Sequence, residues 1–385
     1  MPASFDTIIV GAGVAGLSTA YHLAAHRPGT VLVIEKEKEL GGHSSGRNAG
    51  MIRQAVADPV LARLACEGRK RLGKLKKNEW PALDLKRNGS LLLASGRETK
   101  ELLKTQKSLK RFGVRSFFLS KKEAAGRVPV LKHGDFDRAL FCPSDAFLRT
   151  QALLKGFEKN LKKRSVSLRM GLPLASIKKE NGGFRLTAGK KVFFCKKLVN
   201  ASGAWAARLA REAGASKIPL IAYRRHLFWS RSFGSVSKKW PFVWDLSHEV
   251  YFRPDKNGVM LSPCDKKAYR KQMTEDGRQK IEGEDIDPKM AKILKNKLYR
   301  FSNDFEKIQF YAAKAGLRTM TPDGRFVIGE DPKLKGFYWV AGLGGHGVTT
   351  CFSVGKLASD IIIGNAMDHE LENALSPKRF LSSVF

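Results

Sequence analysis

A chain of 385 residues, 43% of them apolar, is long enough to bury the core of two joined domains and excludes an extensively disordered protein. Its 70 Lys and Arg against 36 Asp and Glu leave a formal charge of +34, spread along the chain with no nucleic-acid-binding motif, so nucleic acid is not expected as a partner. No apolar run approaches the roughly 18 residues of a membrane-spanning helix, and the five scattered cysteines (Cys66, Cys142, Cys195, Cys264 and Cys351) match neither a zinc site nor a disulfide framework.

Those cysteines read as buried reduced thiols, no metal is expected, and the chain is expected to be cytoplasmic. Its N-terminus lacks the basic stretch of a signal peptide. Thr7, Ile8, Ile9 and Val10 form a short β-branched run suited to a buried parallel strand. Gly11-Ala12-Gly13-Val14-Ala15-Gly16 follows, then Leu17, Ala20, Tyr21, Leu23 and Ala24 at helical spacing, then a second apolar run over 30–34 that ends in Glu35. The spacing is that of a βαβ nucleotide-binding unit. Gly11 permits the tight turn, Gly13 lets backbone approach a pyrophosphate, and Gly16 lets helix and strand pack closely. Val14 and Ala15 open the helix whose N–H groups face the phosphates. Glu35 is placed to accept ribose hydroxyl protons, which disfavours a 2′-phosphorylated nucleotide. At this point FAD and NAD both remain open.

Lys36 begins a segment that continues through His43, Ser44, Ser45, Gly46, Arg47, Asn48, Ala49 and Gly50. Its small and hydroxyl-bearing residues suit either a surface loop or a backbone wrapped around a long cofactor. Basic runs at 69–77 and 155–164 read as solvated helix faces. Residues 89–94 are a strand candidate and 98–112 a charged helix. A strand over 197–201 runs into the small-residue turn Ser202-Gly203-Ala204 and Trp205. Strands are expected at 227–229, 242–244, 249–253 and 259–262, the last two joined by a turn at 254–258. The lysine-rich stretch 265–305 reads as exposed helices. Near the end, an apolar run over 337–341 leads to Gly344, Gly345, His346, Gly347, Val348 and Thr349, a second glycine cluster opening a helix. Such an N-terminus would favour the negative charge of a reduced flavin.

Together, the opening motif, HSSGRNAG (43–50), VNASGAW (199–205), KAGLRTMTPDGRFVIG (314–329) and GGHGVTT (344–350) resemble the D-amino-acid oxidase-like flavoproteins, the glycine and sarcosine oxidase type. Within that family the stretches at 128–131, 251–255 and 375–380 are similar to those of bacterial D-arginine dehydrogenases. The resemblance implies an α/β chain: a Rossmann-type FAD-binding domain (1–85, 141–219 and 312–385) with an inserted, mostly antiparallel β substrate-binding domain (86–140 and 220–311). It implies non-covalent FAD, held by the residues named above together with Leu174, Ala201, Gly203, Trp205 and Arg318. It also implies oxidation of the C–N bond of an amino acid or amine to an imine by hydride transfer to flavin N5, with oxygen or quinone as acceptor. A 2-hydroxy acid as substrate remains an alternative, as does an inactive flavoprotein that binds a polyanion. The basic surface leaves room for peripheral contact with an anionic inner membrane.

Four residues match substrate-site positions of the family. Arg318 aligns with the arginine that pairs with the substrate carboxylate, which a planar guanidinium suits. Tyr251 aligns with a tyrosine on the same group, and Arg225 with a second pocket arginine. A surface ion pair for Arg318, and sheet packing for the other two, are the competing readings. His346 stands where the D-arginine enzymes have a tyrosine, as a helix-start residue or beside the substrate. The likeness breaks at Met51, Val56 and Gly89 or Ser90, where those enzymes carry a histidine, a tyrosine and the glutamate that holds a substrate guanidinium. A smaller or more apolar substrate side chain is expected, with D-arginine a poor substrate.

Overall fold

The apolar run that opens the chain forms a strand, Ala3–Val10, buried over its last four residues. The computed structural model describes residues 3–26, 29–80, 83–231, 236–256, 258–268 and 285–381. Ala3–Val10 pairs in parallel with Val31–Ile34 on one side and with Lys191–Asn200 on the other. The sheet continues in parallel to Ser167–Arg169 at one end and Phe337–Ala341 at the other, where Val327–Glu330 closes the edge antiparallel. Alternation along the strands sends Ile9, Val33, Val199 and Val340 to one face and Ile8, Leu32, Leu198 and Trp339 to the other, and both faces are covered. Helices Val14–Ala25, Pro59–Gly73 and Gly347–Ile363 cover the first, with the Ser18 hydroxyl donating to the Cys351 carbonyl (2.7 Å) where two of them cross. Helix Ala206–Ala213 and the hairpin Leu174–Glu180/Gly183–Ala188 cover the second.

The second sheet has nine strands, and every neighbouring pair is antiparallel except Phe242–Asp245 beside Ser90–Ala94. Its longest pairing joins Ile221–Arg231 to Phe310–Met320, so residues 312–320 run as part of this sheet. The strands expected at 227–229, 242–244, 249–253 and 259–262 are present as Ile221–Arg231, Phe242–Asp245, Val250–Asp255 and Gly258–Ser262. In the hairpin between the last two, Asp255 pairs with Gly258, and Asn257 lies outside the described residues. Of the helices expected over 265–305, Lys289–Tyr299 is present and buries Leu294 and Leu298 against one face of the sheet; 269–284 lie outside the described residues. All five cysteines are free, four buried and Cys66 half-buried. Among the described residues no helix is long and apolar enough to cross a membrane.

Candidate cofactor and substrate site

Register decides where the glycine-rich turn meets the rest of the nucleotide half. Val10 is level with Ile34 on one neighbour and with Asn200 on the other, so Gly11, Glu35 and Ala201 emerge together at the carboxyl edge of the sheet. That edge is where open parallel sheets bind their ligands. Gly11 has φ +108°, and a Cβ there would lie 2.5 Å from the Ala201 carbonyl oxygen. A Cβ on Gly16 would lie 1.9 Å from the Gly11 oxygen, so Gly16 serves the helix–strand approach rather than a ligand. The Glu35 carboxylate is held in place by two backbone donors, Ala12 N at 2.8 Å and Glu37 N at 3.0 Å.

A cavity of about 560 Å³ runs from this edge to the second sheet. Most of the sequence-predicted cofactor residues line it: Gly11, Gly13, Val14, Ala15, Glu35, Lys36, the segment 43–45 and 47–50, Leu174, Ala201, Gly203, Trp205, Gly344, Gly345, Gly347 and Val348. Gly16, His346 and Thr349 are not among its lining residues. Thr349 instead ties two elements together, its hydroxyl accepting from Arg53 N (3.0 Å) and donating to the Met51 carbonyl (3.2 Å).

The loop after Glu35 is fastened by its own side chains. Ser45 Oγ accepts from Val14 N (3.0 Å), fixing the loop on the first helix, and Ser44 Oγ donates to the Leu317 carbonyl (2.5 Å). Arg47 Nε donates to the Gly42 carbonyl (2.8 Å) and its Nη1 to the Ala315 carbonyl (3.3 Å). The loop therefore clips the nucleotide half to the strand that carries Arg318. At the nucleotide end, His43 Nε2 pairs with Glu37 (2.8 Å) and its ring packs at a tilt against Trp205, and Lys36 Nζ lies 3.6 Å over the same indole. Glu37 and the pair Arg208–Glu212 also line this end and were missed in the sequence. Only the loop after Glu35 and the helix after Trp205 would have pointed to them.

At the other end the second sheet presents one face. Tyr223 is opposite Arg318 and Arg225 opposite Gly316, so both guanidiniums leave the same side of the paired strands. The same alternation carries that face across to Tyr251 and Trp244, which are paired neighbours. Arg225, Leu227, Tyr251 and Arg318 all line the cavity. Arg318 Nη2 donates to the Tyr251 hydroxyl (3.4 Å), and its guanidinium lies against Gly345 at the start of the last long helix. Burial, then Arg225, lowers the Arg318 pKa from the ordinary arginine value, with Tyr251 acting in the opposite sense. His346 is the residue before helix Gly347–Ile363, and burial, Arg53 and Arg318 push its pKa down to about 3, so its ring is neutral near pH 7. Cys264, among the same charges, has its thiol pushed up by burial, which removes it as a nucleophile.

The places where the family likeness breaks have plain structural roles. Met51 lines the cavity, and Val56 is packed in the core of the nucleotide half. Gly89 has φ +80° with Phe141 and the Cys142 carbonyl where a Cβ would go, and Ser90 Oγ donates to Asp145 (2.6 Å). Neither can offer an acid to a substrate cation.

These features fit FAD on the chain's own geometry. The turn leaves no side chain between backbone and ligand, the first helix points its N-terminus into the cavity, and a fixed carboxylate stands at the end of the second strand. The family profile described as FAD dependent oxidoreductase matches residues 6–361. The chain is 24% identical over 403 aligned residues to 4-methylaminobutanoate oxidase (formaldehyde-forming) of Paenarthrobacter nicotinovorans, covering 99% of this chain and 46% of that protein. It is 26% identical to human peroxisomal sarcosine oxidase, covering 93% of this chain and 92% of that one. The structure of L-proline dehydrogenase from P. horikoshii matches with a TM-score of 0.84 at 22% identity and 99% coverage of both chains, which shows the same fold. The chain spans less than half the length of the first curated relatives it matches.

Proposed function

This chain belongs to the FAD-dependent oxidoreductase family, and from that premise we propose that it oxidises the C–N bond of an amino acid or amine. When bound, FAD supplies the two-electron acceptor for that reaction. The residues that would hold it are those of the glycine turn, Glu35, the clipped loop at 43–50 and the turn at Gly344 and Gly345. The observation that carries the reading is the Arg318–Tyr251 pair, set against Gly345 at the opposite end of the same cavity.

Arg318 presents a planar donor fork to a carboxylate, and Tyr251 supplies a hydroxyl beside it. Fixing the carboxylate fixes the position of the α-carbon, the orienting step such a reaction asks of the protein. The positive charge of Arg225 and Arg318 disfavours an ammonium group nearby, so the amine enters or reacts in its neutral form. With no carboxylate at positions 89 or 90, cationic side chains are disfavoured and D-arginine is a poor substrate. Relatives named for sarcosine and for 4-methylaminobutanoate support a C–N bond as the target.

The test is anaerobic mixing of the purified holoprotein with D- and L-amino acids, N-methyl amino acids and 2-hydroxy acids, following flavin absorbance near 450 nm. Bleaching by an amino compound supports the proposal. Bleaching by hydroxy acids alone assigns the same site to C–O oxidation. A flavin bleached by none of them removes the catalytic reading. Admitting air to the bleached sample separates an oxygen-using enzyme, which recolours at once, from one that needs quinone.

A further inference from the structure

The Arg318–Tyr251 pair accounts for one carboxylate, and it leaves Arg225 unexplained. Arg225 is only 7% exposed, and its side chain lines the cavity. Among the described residues its Nε and Nη1 have no hydrogen-bond partner. Those two atoms are closed in by protein, but the side chain also reaches the cavity, where a charged group without an acceptor is costly. The carboxylates nearest Arg225 feel its charge but make their hydrogen bonds elsewhere. Asp265 takes the His226 ring and backbone, and Glu249 takes Lys266. None of these acids lines the cavity, whose acidic wall residues (Glu35, Glu37, Glu39 and Glu212) belong to the nucleotide end.

Behind the wall the further cations are already engaged. Arg53 is stacked 4.3 Å over Trp244, next to Tyr251 across the sheet, and Lys297 Nζ is spent on the Glu249 and Pro263 carbonyls. Arg225 and Arg318 sit diagonally on paired strands, which separates their Cα atoms by roughly 7–8 Å. Two long side chains starting that far apart can grip two separate anionic groups of one small molecule.

We propose that the substrate carries two carboxylates, one held by Arg318 and Tyr251 and the second by the Arg225 guanidinium: an amino or N-substituted dicarboxylate. This rests on the reading of the cavity as an amine-oxidation site and departs from the expectation of a smaller or more apolar substrate side chain. Asp265 and Glu249 offset part of the Arg225 charge from behind the wall, but neither lines the cavity, and a cationic group there would add to its positive face. A second carboxylate supplies the acceptor that this end of the cavity wall lacks.

Binding tests this without turnover. Holoprotein is titrated at constant ionic strength with acetate, propionate, malonate, succinate and glutarate, reading the shift of the flavin spectrum. At least one dicarboxylate is expected to bind tenfold or more tightly than the monocarboxylates. In Arg225→Met that preference is lost while monocarboxylate affinity changes less than about threefold; flavin content and thermal midpoint report whether the variant has folded, and Arg225→Lys is expected to recover part of the preference. Equal binding of mono- and dicarboxylates to the unaltered protein overturns the proposal. So does an equal loss of both in a folded Arg225→Met, which would mean that both guanidiniums hold one carboxylate. If no amine bleaches the flavin, amine oxidation fails while the binding comparison still decides the two-carboxylate pocket.

Discussion

Replacing Gly11 by alanine tests the geometry of the nucleotide turn at its tightest point. The residue sits at φ +108°, where an L side chain costs of order 1–2 kcal/mol. The new methyl would also lie 2.5 Å from the Ala201 carbonyl oxygen and 2.9 Å from its carbon, backbone atoms at the end of a paired strand that cannot swing aside. Overpacking of that kind costs about 1–3 kcal/mol. The sum is about 3 kcal/mol, which at roughly 2 °C per kcal/mol lowers the thermal midpoint by about 6 °C. Gly214→Ala is the internal control: its φ is +77°, nothing lies within 4 Å of the added methyl and it is not among the cavity-lining residues, so it carries the backbone cost alone, about 1 kcal/mol. The assay is thermal unfolding of both variants with and without added FAD, alongside flavin content as purified. Gly11→Ala is expected to lose flavin as well as stability, because the turn must open to admit the methyl. Equal midpoints and equal flavin content for the two variants would refute the reasoning.

Three further outcomes follow from the same geometry. Arg318→Lys keeps the charge but loses the planar fork and the contact with Tyr251, so kcat/KM for the best substrate is expected to fall about 10²–10³-fold, with flavin content unchanged, in anaerobic stopped-flow measurements. Glu35→Ala removes the acceptor for Ala12 N and Glu37 N and the carboxylate we propose for the ribose, and apoprotein titration should show FAD affinity about 10–100-fold weaker. His22 and His346 both have folded-state pKa values pushed down to about 3, chiefly by burial. Their unfolded forms take up protons first as pH falls. Their contribution is therefore complete above pH 6.5 and is lost between 6.5 and 3, at up to about 1.4 kcal/mol per pH unit for each ring. Urea midpoints between pH 7 and 4 should fall accordingly, and His22→Phe should flatten that slope.

The nucleotide half was legible because its signals are local. A β-branched run, a glycine turn, an apolar helix and an acid after the second strand occupy about thirty consecutive residues, and register delivers Gly11 and Glu35, with Ala201, to one edge. The second sheet was harder to read. Its strands were visible one by one, but that Arg225 and Arg318 share a face depends on the pairing of Arg225 with Gly316, across about ninety residues of chain. Arg47 shows the same limit from another side. Its place in a small-residue segment suggested a cofactor contact, whereas its donors also fasten the loop to the carbonyls of Gly42 and Ala315. Arg53 gave no sequence signal, since its stacking on Trp244 and its hydrogen bond to Ala55 come from the fold. The missing acid at Gly89 was visible as a substitution, but its reason, Phe141 and Cys142 filling the space, was not.

The proposal of C–N oxidation is tested most directly by the products of a single anaerobic turnover. Holoprotein mixed with its best-bleaching acyclic amino compound should yield one equivalent of carbonyl product and one of ammonia or released amine for each flavin reduced. Flavin reduced with no nitrogen released, or reduced only by 2-hydroxy acids, would contradict the account.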